Sequence, residues 1–572
     1  MYDVVIRGGH VVDGTGAAGR KADVAITGDR VVTIGSVDGP SRRSIDATGL
    51  VVAPGFIDIH THYDAQAFWD GTLSPSPLHG VTTVIGGNCG FTLAPISGDP
   101  DDGEYLMHML SRVEGMPIES LQAGLPLDWS STAEFLDRLD GTLMPNAGFL
   151  VGHSALRRVV MKDASTKRHA TPDEITRMCT LLRDGLRAGA LGFSSTWSTS
   201  HNDHNGDPVP SRCASREEVL ALCAVTGEFP GTTLEFIPQV GEMTVESMDL
   251  MAAMSATANR PLNWNFLQVY AQNIPYQDHQ LSTYEYAADR GGKVIALTLP
   301  DSFRIRLNFK SGFVLDILHG WDKLMALPAD AKLAMLRDPA GRRKMNELAQ
   351  QTQGAVRAIA NWGTYTLCET HTDEYKRFIG RPIGEIATEL GKTAWDALCD
   401  IVVADGLRTS IASADRGQDD ASWERRVEVW RDPRALVGAS DAGAHLDMID
   451  SFALPTLMLA KAVRQRQLLP VEEAVHYLTG APAALYGLRD RGLLAEGRAA
   501  DVVVFDPTTI DPGQLYTKFD LPAGAGRLFS QPDGIEHVFV NGQHCVEGRE
   551  MTDARPGSMI RSGRDTDTVT AR

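Results

Sequence analysis

Gly55-Phe56-Ile57-Asp58-Ile59-His60-Thr61-His62 is the stretch from which the rest of the chain can be read. An apolar run opened by Pro54-Gly55 reads as a buried strand. Residues two apart on a strand share a face, so His60 and His62 project side by side at its C-terminal end. A hydrophobic core would have to satisfy two polar rings at once, whereas two converging imidazoles suit a metal ion. A second signal follows. Gly80-Val81-Thr82-Thr83-Val84-Ile85 is another buried-strand run, and it leads into Gly86-Gly87-Asn88-Cys89-Gly90, a glycine-rich turn that lifts one cysteine to a second strand end.

Together these motifs resemble the D-aminoacylase (N-acyl-D-amino-acid deacylase) branch of the amidohydrolase superfamily, and the resemblance runs unevenly to about residue 545. It implies a metal-dependent hydrolase on a (β/α)8 TIM-like barrel that cleaves N-acyl-D-amino acids. The first-strand motif is specific for the superfamily, and the cysteine motif narrows it to this branch.

The whole chain sets bounds. Its 572 residues suggest several domains by length alone, although α/β barrels often exceed the usual unit size. Acidic residues outnumber basic ones, 73 to 54, for a formal charge of −19. That balance argues against nucleic acid and against anionic membranes, both of which attract Lys/Arg patches. Seven scattered cysteines do not form a disulfide framework. Met1-Tyr2-Asp3-Val4-Val5-Ile6-Arg7 begins directly as a strand, without a leader pattern, and no apolar run is long enough to span a bilayer. A cytoplasmic protein acting on a small molecule is the expectation, with surface enough for a homo-oligomer.

Residues 2–52 alternate short apolar runs with glycine turns, and Asp501–Asp506 and Ile535–Gly542 repeat that texture. Neither end has enough strands to bury its own sheet, so 1–53 and 481–560 are expected to form one composite β-sandwich. His10, His537 and His544 fall there and read as structural or solvated. From 54 to 480, apolar strands alternate with helical patterns, the mark of βα units and a parallel sheet. Ala147–His153, Ala190–Ser195, Thr232–Ile237, Pro261–Phe266 and Val437–Asp441 are such strands. Thr171 opens a helix running to about Ala188, and Ser215 with Glu218 reads as a capping box. Residues near 299–365 break the rhythm with charged helical patterns and the aromatics Phe303, Phe309, Phe313 and Trp321. An insertion of that length reads as a lid. Residues 561–572 read as a frayed tail.

Active sites of such barrels sit at the C-terminal strand ends, which nominates His60, His62, Cys89, His153, Glu235, Asn265 and Asp441. Imidazole and thiolate favour zinc, as one or two ions. The expected metal set is His60, His62, Cys89, Glu235 and Asp441. Asp441, in Gly438-Ala439-Ser440-Asp441-Ala442-Gly443-Ala444-His445, matches the family's general acid/base: it takes a proton from metal-activated water and returns it to the departing amine. The family's fifth and sixth strands end on histidines, where this chain has Glu235 and Asn263-Trp264-Asn265-Phe266. No lysine or arginine stands at those ends to hold a substrate carboxylate; Gln239 and Gln268 stand nearby. His153, Asn265, His371, His445 and His201 are the expected substrate contacts, with His371 taken to follow the seventh strand. His108, His169, His279, His319 and His476 read as incidental. No phosphate-cradling loop or dinucleotide fingerprint is present. The expected reaction is hydrolysis of the C–N bond of an N-acyl amino acid. A cyclic amide or ureide hydrolase is the alternative within the superfamily, and a lapsed barrel that only binds a ligand is the alternative outside enzymes.

Overall fold

The computed structural model describes residues 1–239, 243–302, 305–312, 314–413 and 417–572. Phe303 and Phe313, two of the aromatics expected in the insertion, lie outside the described residues.

The centre is an α/β arrangement of parallel strands. In chain order they are β1 (Phe56–Asp58), β2 (Val81–Gly86), β3 (Asn146–Phe149, resuming at Val151–Gly152), β4 (Gly192–Thr196), β5 (Thr233–Ile237), β6 (Leu262–Leu267), β7 (Val294–Thr298) and β8 (Ala435–Val437). Each lies parallel to the next. Between β8 and β1, the N–H of Asp441 donates to His60 O and that of His62 to Ala442 O, at 2.9 and 2.8 Å. Nearly every residue of these strands is buried, which is why they read as continuous apolar runs rather than alternating ones. Helices cross between them. Thr171 and Glu174 form a reciprocal capping box on the helix Pro172–Arg187. Ser215 caps its helix without the reciprocal bond expected of Glu218, because that carboxylate turns inward to Arg157 and His153.

Both chain ends contribute to a single nine-stranded sheet. Val51–Pro54 pairs antiparallel with Val502–Phe505, joining the strands of residues 2–46 to those of 535–551. Ile6, Val24, Val52, Val502 and Phe539, drawn from both ends of the chain, pack into one core cluster beneath it.

Three expectations need correction. The insertion is longer than 299–365, because Arg306–Leu307, Thr366–Glu369 and Ser410–Ala412 pair with one another in a separate antiparallel sheet. That lobe has its own centre, where Trp321, Trp362 and Trp395 stand with ring centroids 4.8–5.8 Å apart. The seventh parallel strand is therefore Val294–Thr298, and the strand before His371 belongs to the lobe. Nor does the segment 561–572 fray. Arg561 donates to Ala188 O, Thr566 to Gly231 O and the N–H of Asp567 to Gly487 O, so the segment is bonded across the base of the strands.

Candidate active site

His60 and His62 leave β1 on the same side, and their rings stand edge to face 5.5 Å apart. The Nε2 atoms converge on Cys89, with Sγ 3.3 Å from His60 and 3.5 Å from His62. Opposite the sulfur, Asp441 Oδ1 lies 3.4 and 3.1 Å from the same two nitrogens. His60, His62 and Cys89 offer ligand atoms that all fall within 4.8 Å of one another. Asn265 brings its side-chain amide to 3.2 Å from His60 Nε2.

The loops that deliver these groups hold unusual backbone. Cys89, Asp441 and His445 adopt left-handed φ values of 58°, 58° and 47°. Strain of this kind persists where surrounding structure imposes it, and it collects at functional sites. Gly443, at φ 90°, is required by contact: a Cβ there would come within 2.8 Å of the His62 backbone. Ser440 accounts for part of the constraint, its single hydroxyl proton shared between Asp58 Oδ2 at 2.6 Å and His60 O at 3.0 Å.

Behind each ring stands a buried carboxylate. Glu114 Oε1 is 3.7 Å from His62 Nδ1, and Glu235 Oε1 is 4.0 Å from His60 Nδ1. Glu235 also accepts the N–H of Cys89 at 2.8 Å. It meets the edge of His60 that faces away from the sulfur, outside the compact group formed by His60, His62 and Cys89. The sequence reading missed Glu114, the C-terminal cap residue of the helix Pro100–Val113, which also approaches His445 at 3.9 Å. No local pattern marks it, because its contact with His62 is made only by packing.

Burial shapes the electrostatics. It pushes Glu235 up to about 8, although the Cys89 N–H opposes it. Burial raises the Cys89 thiol well above its usual range, helped by the charges of Glu235, Glu114 and Asp441. Burial would raise Asp441 too, but its hydrogen bonds to His60 and His62 hold it well below the carboxylate range. For His62, burial is outweighed by Glu114 and Asp441, and its pKa rises to about 10. A cation is what this cluster is suited to. Four buried acids or thiols (Asp64, Cys89, Glu114 and Glu235) and the partly buried Asp441 surround two imidazoles, and His60 Nδ1, His62 Nδ1 and Glu235 Oε1 have no hydrogen-bond partner among the described residues. A divalent ion would reverse the penalty on the thiolate.

The other expected contacts divide. His201 borders the cluster closely enough for the charges of His445, Asp441 and His62 to act on it, while its Nδ1 bonds Thr196 Oγ1 at 2.9 Å. His445 Nε2 lies 3.9 Å from Asp441 Oδ2. His153 is a correction. Its two nitrogens bond Ser195 Oγ and Glu218 Oε1, both at 2.8 Å, which leaves neither for a substrate. His371 is another, for it lies in the lobe against Glu369 and Phe519. A cleft lined by Tyr63, Asp441, Leu446, Phe452 and Leu528 opens beside the cluster.

Parallel strands with ligands at their C-terminal ends, two histidines from one strand and an acid from the last define a metal-dependent hydrolase type of site. The chain belongs to the Amidohydrolase family, which it matches over residues 43–546. It is 27% identical over 98% of its length to a D-aminoacylase from Alcaligenes xylosoxydans xylosoxydans, covering 97% of that protein. It is 29% identical to an N-acyl-D-glutamate deacylase of the same organism, covering 98% of this chain and 96% of that one. A solved D-aminoacylase structure, from work on its binuclear metal centre, superposes with a TM-score of 0.66 at 26% identity, covering 98% of this chain and all of that one. The chain is accordingly an amidohydrolase, a hydrolase of carbon–nitrogen bonds. Among the described residues, no helix is long and apolar enough to cross a membrane.

Proposed function

We propose that the protein hydrolyses the amide bond of an N-acyl amino acid, of the D series as the names of its relatives state. The observation that carries this is the convergence of His60, His62 and Cys89 on one point with Asp441 touching both rings. We read β1–β8 as a closed (β/α)8 barrel over about 54–480, closing where Asp441 meets His60, with 1–53 and 481–560 as one composite β domain. The relatives' binuclear centre and the donor set here support one or two divalent ions, and imidazole with thiolate favours zinc. When bound, such an ion polarises an acyl carbonyl and acidifies water.

The chain's own residues do the rest. His60, His62 and Cys89 hold the ion, and Glu114 and Glu235 orient the two rings from behind. Asp441, kept ionised by the histidines, accepts the proton of the attacking water and passes it to the departing nitrogen. His201 and His445 border the space in front of Asp441 and are placed to meet the substrate. Seven cysteines, none of them in a disulfide, fit a cytoplasmic location. The test is elemental analysis of the wild type beside the His60→Ala/His62→Ala double variant, with N-acyl amino acids of both hands assayed in parallel. We expect about one or more equivalents of zinc in the wild type, lost in the variant together with deacylation. A wild type that stays metal-free after reconstitution, yet still turns over, would sink the reading.

A further inference from the structure

A second buried site lies one residue away from the first. Asn265 turns toward His60, whereas Phe266 lines a separate narrow cleft between the loops that leave β6 and β7. Its lining includes Gln268, Tyr270, Asp301, Ser302 and Arg426. Arg426 comes from the helix Asp420–Arg431, and its side chain is 1% exposed.

A guanidinium buried this far needs acceptors, since an unpaired buried donor loses its hydration without compensation. Asp301 is the near candidate, but its Oδ1 stands 3.7 Å from Nη1, beyond hydrogen-bond reach. That carboxylate is already engaged: Oδ1 accepts from Gln418 at 2.5 Å and from the N–H of Ser302 at 2.7 Å, and Oδ2 accepts from Lys461 at 2.5 Å. Asp419, whose charge also acts on Arg426, accepts from Ser422 and Gln272. Nη1 and Nη2 of Arg426 have no hydrogen-bond partner among the described residues, and neither does the indole N–H of Trp423. The guanidinium sits 4.7 Å from the Trp423 ring, which holds it in place without accepting a hydrogen bond in its plane. Gly417 leaves it room, since a Cβ there would come within 2.8 Å of Nη2. Among the described residues, the unsatisfied groups here are donors, so the group that completes them is an acceptor, and a planar fork of N–H groups matches a carboxylate.

We propose that Arg426 is an anion-binding site for a single carboxylate group, seated between the β6 and β7 loops. It does not depend on the metal reading, because it uses none of those residues. A carboxylate there ties the loop after Asn265 to the loop that begins the lobe. The carboxylate comes either from the substrate or from a free acid such as the one deacylation releases.

The experiment is a calorimetric titration of the full-length protein with sodium acetate at constant ionic strength, paired with thermal melts. The wild type should bind acetate saturably in the millimolar range and melt at higher temperature with it. Arg426→Met should lose the binding, and Arg426→Lys, which keeps the charge without the fork, should weaken it by about tenfold. In the absence of acetate, Arg426→Met should melt no lower than wild type, since the change removes an unpaired buried charge. Acetate that inhibits turnover competitively, with an inhibition constant equal to its calorimetric Kd, identifies the substrate's own carboxylate as the occupant. Binding without competition identifies a free carboxylate. The proposal is overturned if acetate gives no saturable heat, if the response survives Arg426→Met, or if that variant melts lower with no acetate effect in either protein. Any of these would mean that water or the Asp301 pair completes the guanidinium.

Discussion

His153 and His60 are both buried histidines beside parallel strands, and their surroundings are wired in opposite ways. Around His153, each ring nitrogen has a partner, Glu218 takes two bonds from Arg157 Nη1, and Arg157 spends its other N–H groups on the carbonyls of Ser165 and Arg168. Around His60 and His62, the outer nitrogens, Glu235 Oε1 and Asn265 Oδ1 have none among the described residues. Both clusters desolvate charge, but only the first settles the cost within the protein. A saturated polar network is scaffold, and a buried network with groups left over is where a ligand enters.

Substitutions in the two networks should therefore separate activity from stability. The largest effect is expected from Asp441→Asn, which removes the proposed proton carrier: kcat should fall by about 10²–10⁴, with the melting temperature close to wild type. Comparable loss of both would place Asp441 in the scaffold. Next is Arg157→Met, which strands Glu218 in the interior. Urea unfolding should show a cost of about 3–5 kcal/mol, while metal content per folded chain is unchanged. A metal-depleted but stable Arg157→Met protein would erase the distinction between the clusters. Glu114→Gln should weaken metal affinity by about 10–100-fold, read by competition with a chelator, and excess metal should restore turnover. If chelator competition cannot tell Glu114→Gln from wild type, the carboxylate behind His62 does not orient it. The smallest effect belongs to His371→Ala, with kcat/KM within about twofold of wild type, as befits a partly exposed residue away from both networks. A tenfold fall would restore His371 to the substrate contacts.

The ligand group was legible because everything that defines it is local. A two-residue period sets His60 beside His62, and glycine-rich turns at strand ends announce Cys89 and Asp441. Glu114 is illegible for the converse reason: it is an ordinary helix-terminal acid until the fold brings it against a ring about fifty residues away. Val294–Thr298 went unread as the seventh strand because a five-residue apolar run is equally at home in a helix, and Thr366–Glu369 carries a similar signal into the lobe. Glu218 teaches the same lesson at a helix start, where a good capping sequence yields to a buried arginine. His153 ends a strand as His60 does, and only its two partners reveal it as scaffold.

The sheet that joins the two chain ends has a consequence for synthesis. Ala53 pairs with Val503, so this ladder links residues 450 positions apart. At ordinary translation rates, the early strands wait roughly 20–90 s for their partners to leave the ribosome. Throughout that interval the edge at Val51–Pro54 is a ready template for any other extended segment, including the same strand of a neighbouring nascent chain. The protein's exposure to misassembly is thus fixed by when its last strands arrive, and slower elongation through the central strands would lengthen it.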